Sequence, residues 1–483
     1  MRHHKDFINN EFSTSNVRIE PTNLAAGQPG TQFELTRRSF LQSIAALGAL
    51  ASFSPLALPA GSFEERFLLP PNSSRMWTWW FWLSDRVDQR SITKDLEAMK
   101  EQGIGGATVY SLSGPGVDTR LRGPAYMTPA WCKLFLHTVS EAKRLGLGVK
   151  TMLCSGWNAG GPWITPELAC KKYTISDLTL TGPQHFHGEL PHPACDSRFY
   201  RDIAVQAFRI SSHPPASPPD PAQVKARDAL LALKNCTNSL TPGTVPIQEI
   251  CDAPLQPLPP ELDGDVLSAV SCTDLTALLD ENGTLDWAVP EGEWLVYRVG
   301  CTLTGRKTTW SSPTGEGLEG DPLDPAAMES QFQHIAGVLL KDVGPAAGRT
   351  FQAVEIDSWE IRLPNWTMKF LDDFRHYRGY DARPYLPALA GRTAGSAEIS
   401  DRFLYDFRKT LGDCVAENYY GRLTALVRGS GIIQQSEAGG PCAGKLMSMD
   451  ALKNLGRCAV PMGEFWQSPV WKEKNDQNTN GKQ

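Results

Sequence analysis

Acidic residues follow predicted β-strands at three points of the chain, each time beside aromatic residues or glycines. The three motifs are Glu355-Ile-Asp357-Ser-Trp359-Glu360, Glu437-Ala-Gly-Gly440 and Pro461-Met-Gly-Glu464-Phe-Trp466. Carboxyl groups that meet in an aromatic cleft can hydrolyse a glycosidic bond. A protonated carboxyl gives its proton to the leaving oxygen, and an ionised carboxylate activates water or attacks the sugar. A single loop carboxylate more often caps a helix or pairs with arginine, but three such motifs favour a catalytic cleft.

Tryptophan-rich segments could supply the walls of such a cleft. The 14 tryptophans crowd into short motifs, and indole rings suit carbohydrate and other flat, half-apolar ligands. The aromatic strand 77–83 alternates, so one face is expected in the core and about half of its rings at the site, with Trp79 and Trp82 as candidates. The glycine-rich loop 156–163 lacks the ending of a phosphate loop, and reads equally well as a structural turn or a sugar-contacting loop. Its candidate contacts are Trp157, Asn158 and Trp163.

Alternating strand and helix patterns would position these residues. The predicted strands are 77–83, 106–112, 149–154, 351–354, 432–435 and a short element at 459–460. Ser91 is predicted to cap a helix after the first strand, and Thr128 with Pro129 begins a helix that Gly146 ends. Repeated βα units predict a parallel sheet with helices packed on it, and chemistry then gathers at the carboxyl ends of the strands.

The rhythm of βα units breaks at 171–321, where short alternating runs and an Asn-Gly turn signal indicate a β-rich insert. The predicted organisation is a leader at 1–60, a first barrel part at 61–170, the insert at 171–321, a second barrel part at 322–466 and a polar tail at 467–483. The two barrel parts together reach the length of an eight-fold barrel, about 250 residues, yet only about six strands are recognisable. The predicted fold class is α/β, a TIM-type barrel that looks incomplete and is interrupted by a sandwich-like insert.

The amino-terminal segment carries an export pattern. Arg37 and Arg38 precede an apolar run from Ile44 to Leu58 and a small-residue site, as in a twin-arginine signal. The run of about 15 residues is shorter than the roughly 20 that span a bilayer. The sequence therefore predicts a periplasmic or secreted protein without a membrane span; the alternative is a short buried helix after a leader.

Charge and cysteine usage argue against other classes of protein. The net charge of −6 and the pI near 5.9 disfavour nucleic acid or an anionic membrane surface as the main partner. The 11 cysteines include no CxxC pair, so we interpret most of them as small core residues and expect no zinc site.

A string of motifs runs through roughly residues 65–466. It comprises Arg75-Met-Trp77 with Trp82-Leu83, Asp95-Leu-Glu97-Ala-Met99 with 103–106, Gly156-Trp157 with 160–163, Tyr200-Arg201-Asp202, 287–292, 355–360 with Asn365-Trp366-Thr367, 378–381, 437–441 and 461–466. This string resembles the α-L-rhamnosidases of glycoside hydrolase family 106. The resemblance implies a catalytic barrel interrupted by a β insert, an inverting hydrolysis of terminal α-L-rhamnosyl residues in plant or microbial glycans, and a calcium ion that helps hold the sugar.

Carried onto this chain, the resemblance places the general acid in the motif 355–360, with Glu360 as the candidate. Glu464 and Glu437 would be further acidic residues of the active site. The substrate contacts in the matching motifs would be Asp357, Trp359, Asn365, Trp366 and Trp466. Carboxylate and carbonyl oxygens without a His or Cys cluster suit Ca²⁺ better than Zn²⁺, and Glu437 and Glu464 are the candidate ligands.

One departure from the family concerns length. Members run longer, and their general base resembles a Glu in a later Ala-Glu-Ser-Phe-like motif that these 483 residues do not contain. The chain therefore resembles an amino-terminal fragment, and we expect it to hydrolyse rhamnosides poorly or not at all unless a carboxylate such as Glu437 substitutes for the base.

Two other functions stay open from the sequence. A non-catalytic carbohydrate-binding protein would keep the aromatic cleft without a complete acid–base pair. A retaining glycosidase of another barrel family would place its two carboxyl groups closer together than an inverting enzyme does. Either way, the expected partner is an oligo- or polysaccharide, and under the leading hypothesis it contains rhamnose.

Overall fold

Strands and helices alternate through both ends of the described chain. The computed structural model describes residues 63–114, 123–195, 198–210, 220–236, 257–258, 266–268, 271–357, 364–438 and 450–463. The strands are β1 (Trp77–Leu83), β2 (Gly106–Leu112), β3 (Gly148–Ser155), β4 (Gly160–Gly161), β5 (Lys171–Glu189), β6 (Tyr200–Arg209), β7 (Val266–Leu267), β8 (Thr273–Asp274), β9 (Thr284–Leu303), β10 (Leu318–Glu319), β11 (Phe351–Ile356), β12 (Thr393–Ala394), β13 (Ile433–Ser436) and β14 (Val460–Pro461).

The helices lie mainly in the two βα-rich parts. They are α1 (Phe63–Leu68), α2 (Gln89–Glu101), α3 (Pro129–Leu145), α4 (Pro221–Lys234), α5 (Pro325–His334), α6 (Ala336–Val343), α7 (Phe370–Arg378), α8 (Ala397–Cys414), α9 (Arg422–Val427) and α10 (Ala451–Leu455). A π-helical segment, Val415–Gly421, joins α8 to α9. Short 3-10 segments are Asn72–Ser74, Pro166–Leu168, Thr276–Leu278, Gly344–Ala346 and Arg383–Ala390. Helix α1 belongs to a separate unit that ends at Leu69.

A six-stranded parallel sheet carries the fold, in the order β1-β2-β3-β11-β13-β14. Each predicted strand of the two βα-rich parts is present, and the predicted parallel sheet is confirmed. The sheet does not close within the described residues, because β1 pairs with β2 alone and β14 with β13 alone. The structure is therefore a mixed α/β fold built on an open parallel sheet, and a TIM-type barrel stays a prediction.

The ends of α2 and α3 follow local capping chemistry. Thr128 accepts a hydrogen bond from the backbone of Trp131, and Gly146 ends α3 in the left-handed conformation, φ 68°, as predicted. The cap of α2 differs from the prediction: Asp88 is the N-cap, and Ser91 is the third helical residue, which completes a capping box. Each side chain accepts a hydrogen bond from the other residue's backbone N–H. Asp88 and Ser91 together, and not Ser91 alone, therefore set the start of the helix.

One large apolar core fills the space between the sheet and its helices. It includes Trp80, Trp82, Ile92, Leu96, Val109, Trp131, Phe135, Val149, Leu339, Phe351, Val354, Phe403 and Phe407. Several cysteines are buried, as expected of small core residues; these are Cys132, Cys154, Cys170, Cys301 and Cys414. This packing fixes one face of the sheet and leaves the other face to carry polar groups.

The region predicted as a β-rich insert forms an antiparallel sheet of order β5-β9-β6-β8. The long strands β5 and β9 pair from Lys171 with Leu303 to Glu189 with Thr284. A second apolar cluster packs on it, with Leu180, Val205, Leu285, Trp287, Trp294 and Val296. The insert also contains helix α4, which the sequence pattern did not predict. Its short strands β7 and β10 pair outside this sheet, with β12 and β4, and a sandwich stays a prediction.

No helix in the described residues has the length and apolar character needed to cross a membrane. The twin-arginine segment, the leader 1–60 and the tail 467–483 lie outside the described residues.

Candidate active site

Two carboxyl groups lie side by side where β11 and β13 end. The parallel register pairs Ile356 with Ser436, and the residues that follow this pair are Asp357 and Glu437. The backbone N–H of Glu437 donates to the carbonyl oxygen of Ile356 at 3.3 Å. Adjacent strands lie about 4.8 Å apart, and both side chains are buried. The carboxyl edge of the sheet thus holds an acidic pair at the place where chemistry gathers in folds of this type.

Glu355 lies one step deeper on the same face, because side chains two residues apart in a strand point the same way. The Tyr110 hydroxyl donates to Glu355 at 2.5 Å, the Thr108 hydroxyl at 3.4 Å, and the Gln435 amide also donates. Burial raises the pKa of Glu355, and the hydrogen bonds from Tyr110 and Gln435 act in the opposite direction. Glu355 is therefore a fully enclosed carboxyl group, held by three donors below the acidic pair.

All three carboxyl groups influence the pKa of the Tyr110 hydroxyl. Burial raises the pKa of its hydroxyl, and the charges of Glu355, Asp357 and Glu437 raise it further. Its phenol therefore stays protonated and remains a hydrogen-bond donor over the whole physiological range. We call these three carboxyl groups, which all lie close to Tyr110, the acidic cluster.

Lys150 brings a positive charge to the same face. Its Nζ donates to Oε1 of Gln435 at 2.8 Å and lies 4.0 Å from the ring centroid of Trp77. Burial lowers the pKa of Lys150, while the charge of Glu355 raises it. The lysine is held between an amide and an aromatic ring, and it offsets part of the negative charge of the cluster.

An aromatic wall, formed by Trp79, Phe81, Tyr110 and Trp157, stands beside the carboxyl groups. The ring centroids of Trp79 and Tyr110 are 5.1 Å apart, those of Tyr110 and Trp157 are 5.8 Å apart, and those of Phe81 and Trp157 are 6.2 Å apart. Trp79 is 40% exposed. The predicted candidates Trp79 and Trp157 thus share one face with Asp357 and the enclosed carboxylate, and present apolar ring surface next to acid groups.

Hydrogen bonds to Thr309 and Glu319 hold the glycine-rich loop that follows β3. Oδ1 of Asn158 accepts from the backbone N–H of Thr309 at 3.0 Å and from its hydroxyl at 2.6 Å. The amide of Asn158 donates to Glu319, and the backbone N–H of Trp157 donates to the Thr309 carbonyl at 3.2 Å. Asn158 therefore acts as a structural turn residue in this structure, and its clamp positions the neighbouring Trp157.

Trp163 ends the same loop and packs on helix α5. Its ring stacks on His334, with centroids 5.3 Å apart, and its Nε1 donates to Gln331 at 2.8 Å. These contacts anchor the end of the loop; a contact of Trp163 with sugar stays a prediction.

The contribution of Glu319 to the stability of the protein depends on pH. Burial raises the pKa of Glu319 from 4.5 to about 7, while Arg306 and the amide of Asn158 lower it. Below pH 4.5 the folded and unfolded states are both protonated, and between pH 4.5 and 7 the unfolded state loses its proton first. We therefore expect this group to lower the stability by on the order of 3 kcal/mol as the pH rises through that range.

Urea unfolding of the wild type and Glu319→Gln at pH 4.5 and pH 8 checks this expectation. The variant keeps the carbonyl oxygen that accepts from Asn158, so it should match the wild type at the lower pH and exceed its stability at the higher pH. Glu316→Gln, which changes an exposed carboxylate nearby, is the control. A pH dependence that survives Glu319→Gln unchanged would contradict the assignment.

Trp82 lies on the opposite face of the sheet, which corrects the expectation that it contacts substrate. Its side chain is 0% exposed, with ring centroids 5.4 Å from Trp131 and 5.7 Å from Trp80. Strand alternation is the reason, because it puts Trp79 and Trp82 on different faces.

Asn365 and Trp366 are also structural in the described residues. Oδ1 of Asn365 accepts from the backbone N–H of Tyr173 at 3.0 Å, and its amide donates to the Cys236 carbonyl at 3.1 Å. Trp366 is buried, with its ring 4.7 Å from that of Phe370. Both residues tie strand β5 and helix α7 into the core, and their role as substrate contacts stays a prediction.

The other predicted site residues lie outside the described residues. These are Trp359, Glu360, Glu464 and Trp466. Of the predicted metal ligands, Glu437 is described and Glu464 is not. The described residues contain no group of three or more His, Cys, Asp or Glu side chains that could hold a metal ion. The ligands present there do not by themselves make a calcium site, and calcium stays a prediction.

Tyr110, Lys150 and Gln435 were missed by the sequence reasoning. Each lies in a predicted strand, on the face of the enclosed Glu355. A lysine, a tyrosine and a glutamine inside otherwise apolar strands are the signal that could have indicated a polar inner face.

Comparison with known proteins gives the family. A family model described as α-L-rhamnosidase, that of glycoside hydrolase family 106, matches residues 69–226 and 196–483. A relative from Formosa agariphila named "Putative beta-glucuronidase" is 36% identical over 399 residues, which are 81% of this chain and 31% of the relative. The structure of a rhamnosidase from Novosphingobium sp. PP1Y has a TM-score of 0.69 at 26% identity, over 85% of this chain and 50% of that one.

The chain thus spans about a third of the length of that relative and half of that solved structure. The family model matches well over half of the chain, and the solved structure shares its fold. The described acidic cluster lies on the part of the chain that the family model covers. This chain belongs to glycoside hydrolase family 106, the family described as α-L-rhamnosidases.

Proposed function

We propose that the chain takes part in hydrolysis of terminal α-L-rhamnosyl residues of plant or microbial glycans by an inverting acid–base mechanism. The observation that carries the proposal is the buried acidic pair of Asp357 and Glu437 beside the aromatic wall. An aromatic face takes the apolar side of a sugar ring, while neighbouring carboxylates accept hydrogen bonds from its hydroxyl groups.

Each carboxyl group would have a different role, according to its position in the site. Inverting hydrolysis needs an acid beside the leaving oxygen and a carboxylate about 6.5–9.5 Å away, with a water between them. Glu360 is the proposed acid, on the family resemblance, and Glu464 is a further proposed acidic residue. Asp357 and Glu437 supply carboxylate oxygens at the edge of the sheet for the sugar or the attacking water. Glu355 is too enclosed to reach the sugar, and it holds Tyr110 in place.

A second candidate substrate comes from the relative named a β-glucuronidase. A glucuronide carries a carboxylate, which favours a cation in the site. Lys150 is a cation on this face, but its Nζ is already bound to Gln435 and the ring of Trp77. Three carboxyl groups in the same cluster would repel a uronate, and this balance favours the neutral rhamnoside.

Fluorogenic substrates separate the two candidates. Purified chain is incubated with 4-methylumbelliferyl α-L-rhamnoside and with the matching β-D-glucuronide, for long times because we expect slow turnover. Release from the rhamnoside alone supports the proposal. Release from the glucuronide alone would replace it with the second candidate, and binding without turnover would indicate a non-catalytic sugar-binding role.

We also propose that Ca²⁺ contributes to sugar binding, through Glu437 and Glu464. Dialysis against a chelator is expected to weaken binding of methyl α-L-rhamnoside, and added Ca²⁺, but not Mg²⁺, is expected to restore it, since the larger ion accepts irregular oxygen ligands. Titration calorimetry provides the readout. Binding that is the same before and after chelation would remove calcium from this site.

The proposed location is the periplasm or the exterior of the cell, on the strength of Arg37, Arg38 and the apolar run that follows.

A further inference from the structure

Trp310 is an exposed tryptophan in a strained backbone conformation. It lies between β9 and β10, its side chain is 54% exposed, and its φ is 57°. The left-handed region is an outlier for a bulky residue, and it costs on the order of 1–3 kcal/mol. Neither strain nor exposure of a large ring helps folding, so the position calls for another explanation.

Backbone hydrogen bonds hold the turn around Trp310 against the carboxyl ends of β2 and β3. The N–H of Ser113 donates to the carbonyl oxygen of Trp310 at 2.7 Å. The N–H of Ser312 donates to Oγ of Ser155 at 2.8 Å. Asn158 holds the preceding residue, as described above. The strained conformation is therefore fixed from three sides.

A buried carboxyl group supports this turn from the end of β1. Asp85 accepts hydrogen bonds from Nε1 of Trp131, at 2.9 Å, and from the side chains of Ser111 and Ser312. The hydroxyl groups of Ser111 and Ser155 are also 3.2 Å apart. The support is rigid, so the ring of Trp310 is presented on a fixed base.

The ring of Trp310 lies against Gly114, in the chain that leaves β2. A Cβ atom at Gly114 would come within 2.7 Å of Cε3 of Trp310, so glycine is what lets the indole rest there. Despite this contact, 54% of Trp310 stays exposed.

Trp310 lies beyond the level of the acidic pair along the strand direction, on the β2 and β3 side of the sheet. The registers of β2, β3 and β11 put Ser113 about three residues past the level of Asp357. At about 3.3 Å per residue this offset is ~10 Å along the strands, and the one to two strand spacings to β11 add a lateral offset of about 5–10 Å. The neighbouring loop carries Trp157 of the aromatic wall, so the two indoles border the same side of the cleft.

We propose that Trp310 is a stacking platform for a second sugar ring, the one joined to the terminal rhamnosyl residue on its leaving-group side. This inference rests on the proposed function, since it assumes that the acidic pair binds the terminal sugar. An indole face offers a large, rigid apolar surface to the C–H face of a pyranose. Its separation from the acidic pair is larger than one sugar ring, so Trp310 suits a ring beyond the one that is cleaved.

Trp310→Gly is the informative variant. Glycine accepts the positive φ without strain, so the variant should fold with equal or greater thermal stability while losing the ring. Binding is measured by titration calorimetry with methyl α-L-rhamnoside and with a rhamnose-terminated disaccharide. We expect the variant to bind the disaccharide about tenfold more weakly, which is roughly 1.4 kcal/mol, and the methyl rhamnoside within twofold of the wild type.

Tyr405→Ala is the matched control, because Tyr405 is equally exposed, 54%, on helix α8. It should leave both ligands unaffected, and Trp310→Phe should restore part of the disaccharide affinity. Equal disaccharide binding by the wild type and Trp310→Gly would overturn the platform while leaving the proposed function standing. A wild type that binds neither ligand would overturn the proposed function and the platform with it.

Discussion

Glu437→Gln is expected to lower the rate of aryl α-L-rhamnoside hydrolysis by about 10²–10⁴-fold, the usual loss for a general base, and Asp357→Asn by about tenfold or more, because it removes a charged hydrogen-bond acceptor worth about 1.5–3 kcal/mol. The amide keeps the size of the side chain but cannot take up a proton or hold an attacking water as a base does. Both carboxyl groups lie at the edge of the sheet, where β11 and β13 end, and both act on the electrostatics of Tyr110.

The rates are measured with 4-methylumbelliferyl α-L-rhamnoside over long incubations. Glu398→Gln is the control, since Glu398 is an exposed carboxylate on α8 that pairs with Arg402, and surface changes of this kind cost little. Circular dichroism shows whether each variant is folded. Rates of folded Glu437→Gln and Asp357→Asn that stay within twofold of the wild type would remove this pair from the chemistry.

Trp82→Ala is expected to destabilise the protein by about 3–5 kcal/mol, the range for deleting a large aromatic side chain from a core. Trp82 is fully enclosed between the sheet and α3, against Trp80 and Trp131. Trp79→Ala should cost less stability, since Trp79 is partly exposed, but it should weaken sugar binding because it removes part of the aromatic wall. We therefore expect Trp82→Ala to lose mainly stability and Trp79→Ala to lose mainly sugar affinity, although the two residues are three positions apart.

Urea unfolding and rhamnoside binding on the same samples separate these outcomes. Trp82→Phe is a milder control, since it keeps ring contacts and removes an indole N–H that has no hydrogen-bond partner among the described residues. It should be folded and bind sugar normally. A stable Trp82→Ala variant that has lost sugar binding would show that the original expectation for Trp82 was right.

Local patterns predicted the framework well. Strands β1 and β2 have the predicted ends, and Thr128, Pro129 and Gly146 bound helix α3 as expected. Each of these signals depends on a few neighbouring residues, through alternation, capping or a left-handed glycine. The same alternation also separates Trp79 from Trp82, and applying it strictly would have corrected the choice of Trp82.

Contacts between distant residues could not be read from one sequence. Tyr110 and Glu355 are 245 residues apart, Asn158 and Glu319 are 161 apart, and each pair is joined by a hydrogen bond. The strand order of the parallel sheet brings Tyr110 to Glu355, and the pairing of β4 with β10 brings Asn158 to Glu319. Sequence pattern predicts strands more readily than their pairing. Motif resemblance gives positions without orientation, so it could not predict that Trp366 is buried against Phe370.

The carboxyl edge of the parallel sheet is the proposed sugar site, and ligand binding tests this most directly because it does not depend on turnover. Saturation-transfer NMR with methyl α-L-rhamnoside compares the wild type with a folded double variant, Asp357→Asn with Glu437→Gln. Loss of charged hydrogen-bond acceptors, at about 1.5–3 kcal/mol each, predicts a clear signal for the wild type and at least a tenfold weaker affinity for the double variant. Undiminished saturation transfer in the double variant would show that the sugar binds elsewhere.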